Sequence, residues 1–246
     1  MPETVALVVA AGRGSRMPGN TPKQYRDLHG QSVLTHVLRA FSDHASVDTV
    51  HAVIHPDDTD AFAAAARGLD LADPILGGAT RQDSVRNGLQ AIAPDAPAKV
   101  LIHDGARPFA SPALIDRVVG ALDTADGAIP ALPVTDTVKR VDGDAIVETV
   151  ARSGLYRAQT PQGFRFPALL KAHETAADDG GFTDDASIAE AAGLKVVTVT
   201  GEEANIKITH DDDLARASAW LAGARETRVG SGFDVHAFGP GDSVRL

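Results

Sequence analysis

Hydrophobic residues fall along this chain into short unbroken runs that alternate with amphipathic stretches. Unbroken runs are typical of strands buried on both faces of a sheet, and they predict strands at 5–10, 50–54, 74–76, 100–103, 129–133 and 196–199. The amphipathic stretches predict helices at 32–42, 58–67, 81–93, near 167–177 and near 184–192. Another helix begins at Ser111-Pro112, a capping residue followed by proline. The last helix runs from Thr209, paired with Asp212 in a capping-box-like arrangement, to about 224.

Strands that alternate with helices indicate parallel βαβ units, and therefore an α/β fold with a doubly wound, mostly parallel sheet. The alternation breaks at Thr135. Two β-type stretches, 137–141 and 145–150, flank Asp142-Gly143-Asp144, which indicates an antiparallel hairpin. A further strand is expected at 155–159. This arm, over about 135–160, would either lie over an active site or join two subunits.

The composition changes after about residue 225, where a glycine-rich stretch at 228–239 lies beyond the last predicted helix. We therefore expect one domain over 1–225. Residues 226–246 are expected to be a linker and the first strand of a second domain, cut short at Leu246.

Composition and charge narrow the classes of protein. The chain has 246 residues, 43% of them hydrophobic, enough for one large α/β domain with or without an appendage. It contains no cysteine, which excludes disulfides and thiolate metal sites. No apolar run is long enough to span a bilayer and the N-terminus does not resemble a signal peptide, so a cytoplasmic location without membrane contact is expected. A net charge of -10 argues against sequence-independent nucleic-acid binding.

A glycine loop with basic residues follows the first predicted strand. Gly12 and Gly14 allow backbone N–H groups to approach a ligand, and Arg13, Arg16 and Lys23 add positive charge. Such a loop suits a triphosphate, and in an acidic chain it favours a specific anion site. It is neither a P-loop nor a dinucleotide-binding motif, because a Gly-Lys-Ser/Thr end and a third glycine are both missing. The loop alone also fits an ordinary strand-to-helix turn with solvated arginines.

Three other segments carry candidate chemistry. Asp104 ends the strand at 100–103, where a carboxylate can hold Mg²⁺, although it could also cap the turn leading to Arg107. Arg107 is expected to brace this loop. A second close backbone approach, at Gly77-Gly78 near Ser84, could read a base edge or form only a turn and a helix cap. Lys207, on a short alternating strand expected at 205–209, is a candidate cation aimed at the ligand.

Near the C-terminus, Asp234 and His236 stand two residues apart, so on a strand both side chains face the same way. The pair can supply two metal ligands, but a zinc site needs a third protein ligand.

Taken together and in order, these motifs resemble the 2-C-methyl-D-erythritol 4-phosphate cytidylyltransferase family over roughly residues 4–222. The C-terminal segment 232–239 resembles the start of the 2-C-methyl-D-erythritol 2,4-cyclodiphosphate synthase family, whose Asp-x-His pair binds a divalent metal, usually zinc. The chain thus resembles the first part of a fusion of the two enzymes. The cytidylyltransferase motifs are 10–17, 22–25, 77–78 with 83–85, 103–108, 136–139, 160–162, 183–187 and 205–207.

This resemblance implies a Rossmann-like nucleotidyltransferase that joins CTP to 2-C-methyl-D-erythritol 4-phosphate and releases pyrophosphate. It implies that Arg16, Lys23 and Lys207 stabilise the transition state, while the backbone of 12–14 lines the phosphates and Asp104 binds Mg²⁺. The cytosine would be read by Ala11, Gly78 and Ser84. The acceptor phosphate would be held by Thr137 and Arg152 across a homodimer interface.

Two positions depart from the family pattern: Gly105 stands where an alanine is frequent, which should loosen the turn, and Ala79 stands where an aspartate is frequent. Ala79 places any base contact from that side chain in doubt. Two alternatives remain open from the sequence. One is a cytidylyltransferase for ribitol 5-phosphate or another pentitol phosphate, and the other is a nucleotide-binding module without turnover.

Overall fold

One mixed sheet organises the part of the chain that the computed structural model describes, residues 3–13, 21–176 and 181–223. Its strands and those of two small hairpins are β1 (Thr4–Ala10), β2 (Asp27–Leu28), β3 (Gln31–Ser32), β4 (Thr49–Ile54), β5 (Ile75–Leu76), β6 (Lys99–Asp104), β7 (Gly127–Pro133), β8 (Val138–Asp142), β9 (Ala145–Val150), β10 (Tyr156–Ala158), β11 (Gln162–Arg165) and β12 (Val196–Thr200). The helices are α1 (Val33–Ser42), α2 (Thr59–Ala65), α3 (Arg81–Ile92), α4 (Pro112–Ala121), α5 (Phe166–Thr175), α6 (Asp185–Ala191) and α7 (Asp211–Gly223).

The main sheet has the order β10-β7-β11-β6-β1-β4-β5, with β12 also pairing with β7. Strands β5, β4, β1 and β6 are parallel neighbours, and β11 is antiparallel to both β6 and β7. The chain moves from β1 outward through β4 and β5, then returns to place β6 on the other side of β1. The predicted doubly wound, mostly parallel α/β fold is therefore confirmed.

Alternate side chains of β1 enter two separate cores, because successive residues of a strand face opposite sides of the sheet. Ala6 and Val8 pack with apolar residues of α1, α2 and α4. Val5 and Leu7 pack with residues of α3, α5 and α6. The unbroken apolar run that predicted this strand thus reflects burial on both faces.

Strand β11 was not predicted, and its position explains why. The segment contains a single apolar side chain, Phe164, and its Gly163 lies under α4. A Cβ at Gly163 would clash with Val118 and would lie 3.1 Å from Leu101 Cδ2. Close packing of the backbone, rather than a hydrophobic pattern, places this strand between β6 and β7.

Two local predictions near the C-terminal end of the described chain were wrong. Residues 205–209 form no strand; they are an extended segment in which Ile208 N donates to Ala106 O at 2.8 Å. The last helix begins at Asp211, and Asp213 rather than Asp212 accepts the preceding backbone N–H groups, from Thr209 at 2.9 Å and His210 at 3.0 Å.

The predicted hairpin is present as β8 and β9, joined by a turn with Gly143 at φ +57°. Its apolar residues Val141, Ile146 and Val147 are between 58% and 65% exposed. Among the described residues, no helix has the length and apolar character needed to cross a membrane. The predicted boundary near 225 lies outside the described residues.

Candidate active site

A cleft of about 490 Å³ opens at the carboxyl ends of β1 and β6. These strands are neighbours, yet the chain leaves them toward opposite sides of the sheet, and such a switch point is where open α/β sheets bind ligands. The cleft brings together residues from five segments that are far apart in sequence: Ala11 to Arg13, Lys23 and Gln24, Gly78 to Arg81 with Ser84, Asp104 to Ala106, and Lys207.

The glycine loop forms one wall of the cleft. Apart from its chain neighbours, no described residue has an atom within 4 Å of the place where a Cβ on Gly12 would stand, which leaves room for a ligand beside the backbone. Buried Gln24 fixes the loop by donating to Ala10 O at 2.7 Å and Gly12 O at 3.2 Å. Sequence reasoning missed this role of Gln24.

The Arg13 side chain is bound by residues that directly follow β4. Its guanidinium bonds Asp57, Asp58 at 3.1 Å and His55 at 2.8 Å. The charge of Arg13 is therefore paired with the carboxylates of Asp57 and Asp58, although Arg13 itself lines the cleft. Two further predicted members of the loop, Gly14 and Arg16, lie outside the described residues.

Asp104 stands at the centre of a cluster of cations. Its Oδ2 lies 2.9 Å from Lys207 Nζ and 3.3 Å from Arg107 Nε, and its Oδ1 lies 3.7 Å from Arg81 Nε. Burial acts to raise the pKa of Asp104, but Lys207, Arg81 and Arg107 outweigh it and hold the pKa well below its usual range. Asp104 is therefore an ionised carboxylate at neutral pH.

Arg107 braces the loop after β6, as predicted, because its Nη1 also donates to Asn205 O at 2.8 Å. Buried Asn205 in turn donates to Thr160 O at 2.7 Å. These bonds hold the extended segment that carries Lys207, in place of the strand pairing that the sequence suggested.

His103, fully buried behind Asp104, completes the support of this loop. Its Nε2 lies 3.0 Å from Arg107 O, and its Nδ1 lies 3.0 Å from the hydroxyl of Thr160. Since Arg107 O only accepts, Nε2 carries the proton and Nδ1 accepts from Thr160. The same hydroxyl accepts from Asp104 N at 3.1 Å.

A second wall of the cleft is formed by the turn before α3. Ser84 Oγ accepts from Gly78 N at 3.1 Å and donates to Thr80 O at 2.8 Å, and Thr80 with Asp83 forms a capping box. A Cβ on Gly77 would overlap Ala11, so the two walls touch there. The segment is at once a turn, a helix cap and part of the cleft.

Gly105 packs tightly at the base of the cleft. Its N–H donates to Val9 O at 2.9 Å, and a Cβ there would lie 2.9 Å from Ala10 Cβ. The glycine that departs from the family pattern therefore sits where the backbone of β1 leaves little space.

One predicted group of site residues is not brought to the cleft. Thr137 and Arg152 are exposed in and beside the arm and do not line it. Asp234 and His236 lie outside the described residues. Within 3–13, 21–176 and 181–223, no group of three or more His, Asp or Glu residues is placed to hold a metal. Conversely, Arg81 lines the cleft and joins Asp104 to Asp185, a connection that sequence reasoning did not anticipate.

The comparisons with known proteins agree with this geometry. The family described as IspD, 2-C-methyl-D-erythritol 4-phosphate cytidylyltransferase, matches residues 4–223. A protein from Rhodospirillum rubrum named bifunctional enzyme IspD/IspF is 55% identical over 247 residues, covering 100% of this chain and 64% of that protein. One of the same name from Paramagnetospirillum magneticum is 52% identical, covering 98% of this chain and 62% of that protein.

Among solved structures, the 2-C-methyl-D-erythritol 4-phosphate cytidylyltransferase from Thermus thermophilus is similar to this chain with a TM-score of 0.73 and 35% identity. The match covers 88% of this chain and 98% of that one. The chain thus spans less than two thirds of the bifunctional relatives but nearly the whole of a single-domain one. With a family match over residues 4–223, the chain belongs to the 2-C-methyl-D-erythritol 4-phosphate cytidylyltransferases and is a nucleotidyltransferase.

Proposed function

We propose that this chain transfers CMP from CTP to 2-C-methyl-D-erythritol 4-phosphate. An oxygen of the acceptor phosphate forms a bond to the α-phosphorus of CTP, and the bond from that phosphorus to the bridging oxygen of the β-phosphate breaks, releasing pyrophosphate. The observation that carries the proposal is the convergence of Gly12, Lys23, Asp104 and Lys207 at the switch point of the sheet. The acceptor phosphate is already ionised near neutral pH, so the protein has to position and neutralise charge rather than remove a proton.

The cations of the cleft supply that neutralisation. We assign Lys23 and Arg16 to the triphosphate and Lys207 to the reacting α-phosphate from the opposite side. Lys207 is 39% exposed and its ammonium is oriented by Asp104, so the charge is presented to the cleft in a fixed place. The backbone N–H groups of residues 12–14 would complete the cradle.

Asp104 fits a role in holding Mg²⁺. Enzymes of this family typically use a divalent metal, and Mg²⁺ is commonly held by one or two carboxylates together with phosphate oxygens. The Oδ1 atom of Asp104 has only a loose partner at 3.7 Å, whereas Oδ2 is hydrogen-bonded, so Oδ1 is the oxygen open to a metal. Bound Mg²⁺ would neutralise phosphate charge.

We assign recognition of cytosine to Ala11, Gly78 and Ser84. Because the Ser84 hydroxyl is bonded within its own turn, its contribution would be to hold Gly78 in place. The base edge would then be read by backbone groups, as the absence of an acidic side chain at Ala79 also requires.

We further propose that the acceptor site is completed by the arm of a second copy of this chain. Thr137 and Arg152 are exposed in and beside an arm whose apolar residues Ile146 and Val147 are uncovered. An exposed apolar patch of this kind marks an interaction surface. A partner arm laid over the cleft would bring Arg152 to the acceptor phosphate.

Mixing two inactive variants tests this arrangement. Arg152→Ala and Lys207→Ala should each be inactive alone. If the arm acts on the neighbouring subunit, subunit exchange creates one intact site in each heterodimer, and activity should return. Activity that stays absent after exchange, shown by differently tagged subunits, would refute action between subunits.

The reaction itself is tested by following ³¹P NMR of the protein with CTP, Mg²⁺ and 2-C-methyl-D-erythritol 4-phosphate, with ribitol 5-phosphate in parallel. Pyrophosphate should appear with the first acceptor. Turnover confined to ribitol 5-phosphate would overturn the proposed acceptor, and CTP binding without any turnover would favour a nucleotide-binding module.

We also propose that residues 1–225 form the transferase domain and that 226–246 begin a cyclodiphosphate synthase domain. In that domain Asp234 and His236 would contribute two ligands to a divalent metal such as Zn²⁺. The support is the named relatives, which extend well beyond the matched part. A cytoplasmic location is proposed because CTP is supplied there.

A further inference from the structure

A series of ion pairs connects the interior of the protein with the cleft. Arg81, the first residue of α3, is 30% exposed in the cleft wall, and its Nη2 lies 2.7 Å from Asp185 Oδ2. The other carboxylate oxygen of Asp185 lies 3.1 Å from His173 Nε2, and both Asp185 and His173 are completely buried. On its cleft side, Arg81 Nε faces Asp104 Oδ1 at 3.7 Å.

Backbone N–H groups fix the position of Asp185, at the inner end of this series of ion pairs. Asp185 opens α6, and its own N–H and that of Ala186 both donate to Gln162 Oε1 at 3.1 Å. Gln162 is in register with Ile102 of β6, the strand that ends in Asp104. A buried carboxylate is tolerated only when charges and hydrogen bonds satisfy it, and here Arg81 supplies the charge.

The arrangement places one anchored arginine on each side of Asp104. Arg107, tied to Asn205 O, faces Oδ2, whereas Arg81, tied to Asp185, faces Oδ1. Oδ1 is the oxygen that we assign to the metal. Arg81 itself lines the cleft, so the guanidinium that Asp185 anchors stands where a ligand would bind.

We propose that Arg81 is a positioning residue for the nucleotide: the buried Asp185–His173 pair holds its guanidinium so that it sets the orientation of the Asp104 carboxylate toward bound CTP. The inference rests on the proposed function. It differs from a purely structural role for the ion pair, because a structural role would change the stability of α6 without a selective effect on CTP.

Two substitutions test separately the anchor at Asp185 and the guanidinium of Arg81. Asp185→Asn keeps the shape of the side chain but removes the charge that anchors Arg81, and it leaves one accepting oxygen where the carboxylate has two. Arg81→Lys keeps a positive charge but loses the planar fork that reaches two carboxylates. Partners that orient a ligand-holding side chain are commonly worth 10–100-fold in affinity, so each variant should weaken CTP binding by about tenfold or more. The KM for the acceptor should stay within about twofold of wild type, since Arg81 lines the cleft beside Gly78 and Ser84, which we assign to the nucleotide.

The matched control is Asp123→Asn. Asp123 pairs with Lys99 at 2.9 Å, and Lys99 begins the strand that Asp104 ends, so the change removes a carboxylate from an ion pair at the opposite end of β6. CTP affinity of this variant should equal that of wild type.

Isothermal titration with CTP and Mg²⁺, without acceptor, is the direct test, with thermal melts of every variant by circular dichroism. Weakened CTP binding by folded Arg81→Lys and Asp185→Asn, with the control unchanged, supports the proposal. Guanidinium added to Arg81→Ala should restore part of the CTP affinity, which a structural defect would not allow.

Wild-type affinity in both variants would overturn the positioning role while leaving the proposed function intact. Failure of the wild-type protein to bind CTP would overturn both. If Asp185→Asn melts below the assay temperature, Arg81→Lys decides the matter, because it leaves Asp185 with a positively charged neighbour.

Discussion

Acidification from pH 7.5 to 5 should destabilise this protein through His103. Burial lowers the pKa of His103 to about 4, from an ordinary value of 6.5. The folded state therefore keeps the imidazole neutral, while the unfolded state takes up a proton as soon as the pH falls below about 6.5. Stability from this group is complete above that pH and is lost as the pH falls toward 4.

The magnitude follows from the two pKa values. The full shift corresponds to about 3 kcal/mol of unfolding free energy, of which about 2 kcal/mol should be lost at pH 5. The physical cause is visible around the ring: it lies against Phe41 at a centroid distance of 4.8 Å, and its Nδ1 accepts from Thr160. A proton on Nδ1 would break that bond and leave a charge that is fully buried against the ring of Phe41.

Urea unfolding, followed by circular dichroism at pH 7.5 and 5.0, measures this loss when wild type is compared with His103→Gln. The glutamine retains a donor for Arg107 O but cannot take up a proton. Wild type should be the more stable at pH 7.5, and its advantage should shrink by about 2 kcal/mol at pH 5. The lowered pKa values of Asp104 and Asp185 keep both carboxylates ionised throughout this window, so they do not contribute.

A variant that loosens the same packing without removing the titrating group is the control. Phe41→Leu should lower the unfolding free energy by similar amounts at the two pH values. If the difference between wild type and His103→Gln stays constant within about 0.5 kcal/mol, the imidazole is not held neutral by burial and the reasoning fails.

Two further predictions concern the cleft and the sheet. Lys207→Met should lower kcat by about 100-fold in a pyrophosphate-release assay, because it removes the cation that we propose for the reacting phosphate; near-normal kcat would remove it from the mechanism. Gly163→Ala should cost about 1–3 kcal/mol in urea unfolding, because its Cβ would clash with Val118. Gly120→Ala, inside α4 with nothing within 4 Å of its Cβ, should instead stabilise by about 0.5–1 kcal/mol; equal effects at the two glycines would contradict the packing argument.

The central strands of the sheet could be predicted from the sequence because burial on both faces requires unbroken apolar runs. β1 and β6 show such runs, and both lie within one or two residues of their predicted bounds. β11 was not predicted because its position depends on a glycine, Gly163, that lets α4 approach, and glycine carries no hydrophobic signal. A local sequence pattern does not predict contacts of this kind between distant segments.

The segment carrying Lys207 shows how a correct pattern can be misassigned. Its alternation predicted a strand, whereas Ile208 packs with Leu28 and Val33, Ile206 lies at the edge of the same cluster, and Lys207 between them faces the cleft. Alternation reports which side chains share a face, and an extended segment held by Arg107 and other side chains meets that condition without a neighbouring strand.

The charge of the cleft could be predicted in sign but not in its origin. Arg13 was expected to add positive charge, yet Asp57 and Asp58 offset it. The positive charges instead gather around Asp104, where three cations face one carboxylate and Asp185 pairs with one of them. Two of these ion pairs join residues about 100 positions apart, so the fold, and not a basic run in the sequence, gathers these cations at the cleft of an acidic chain.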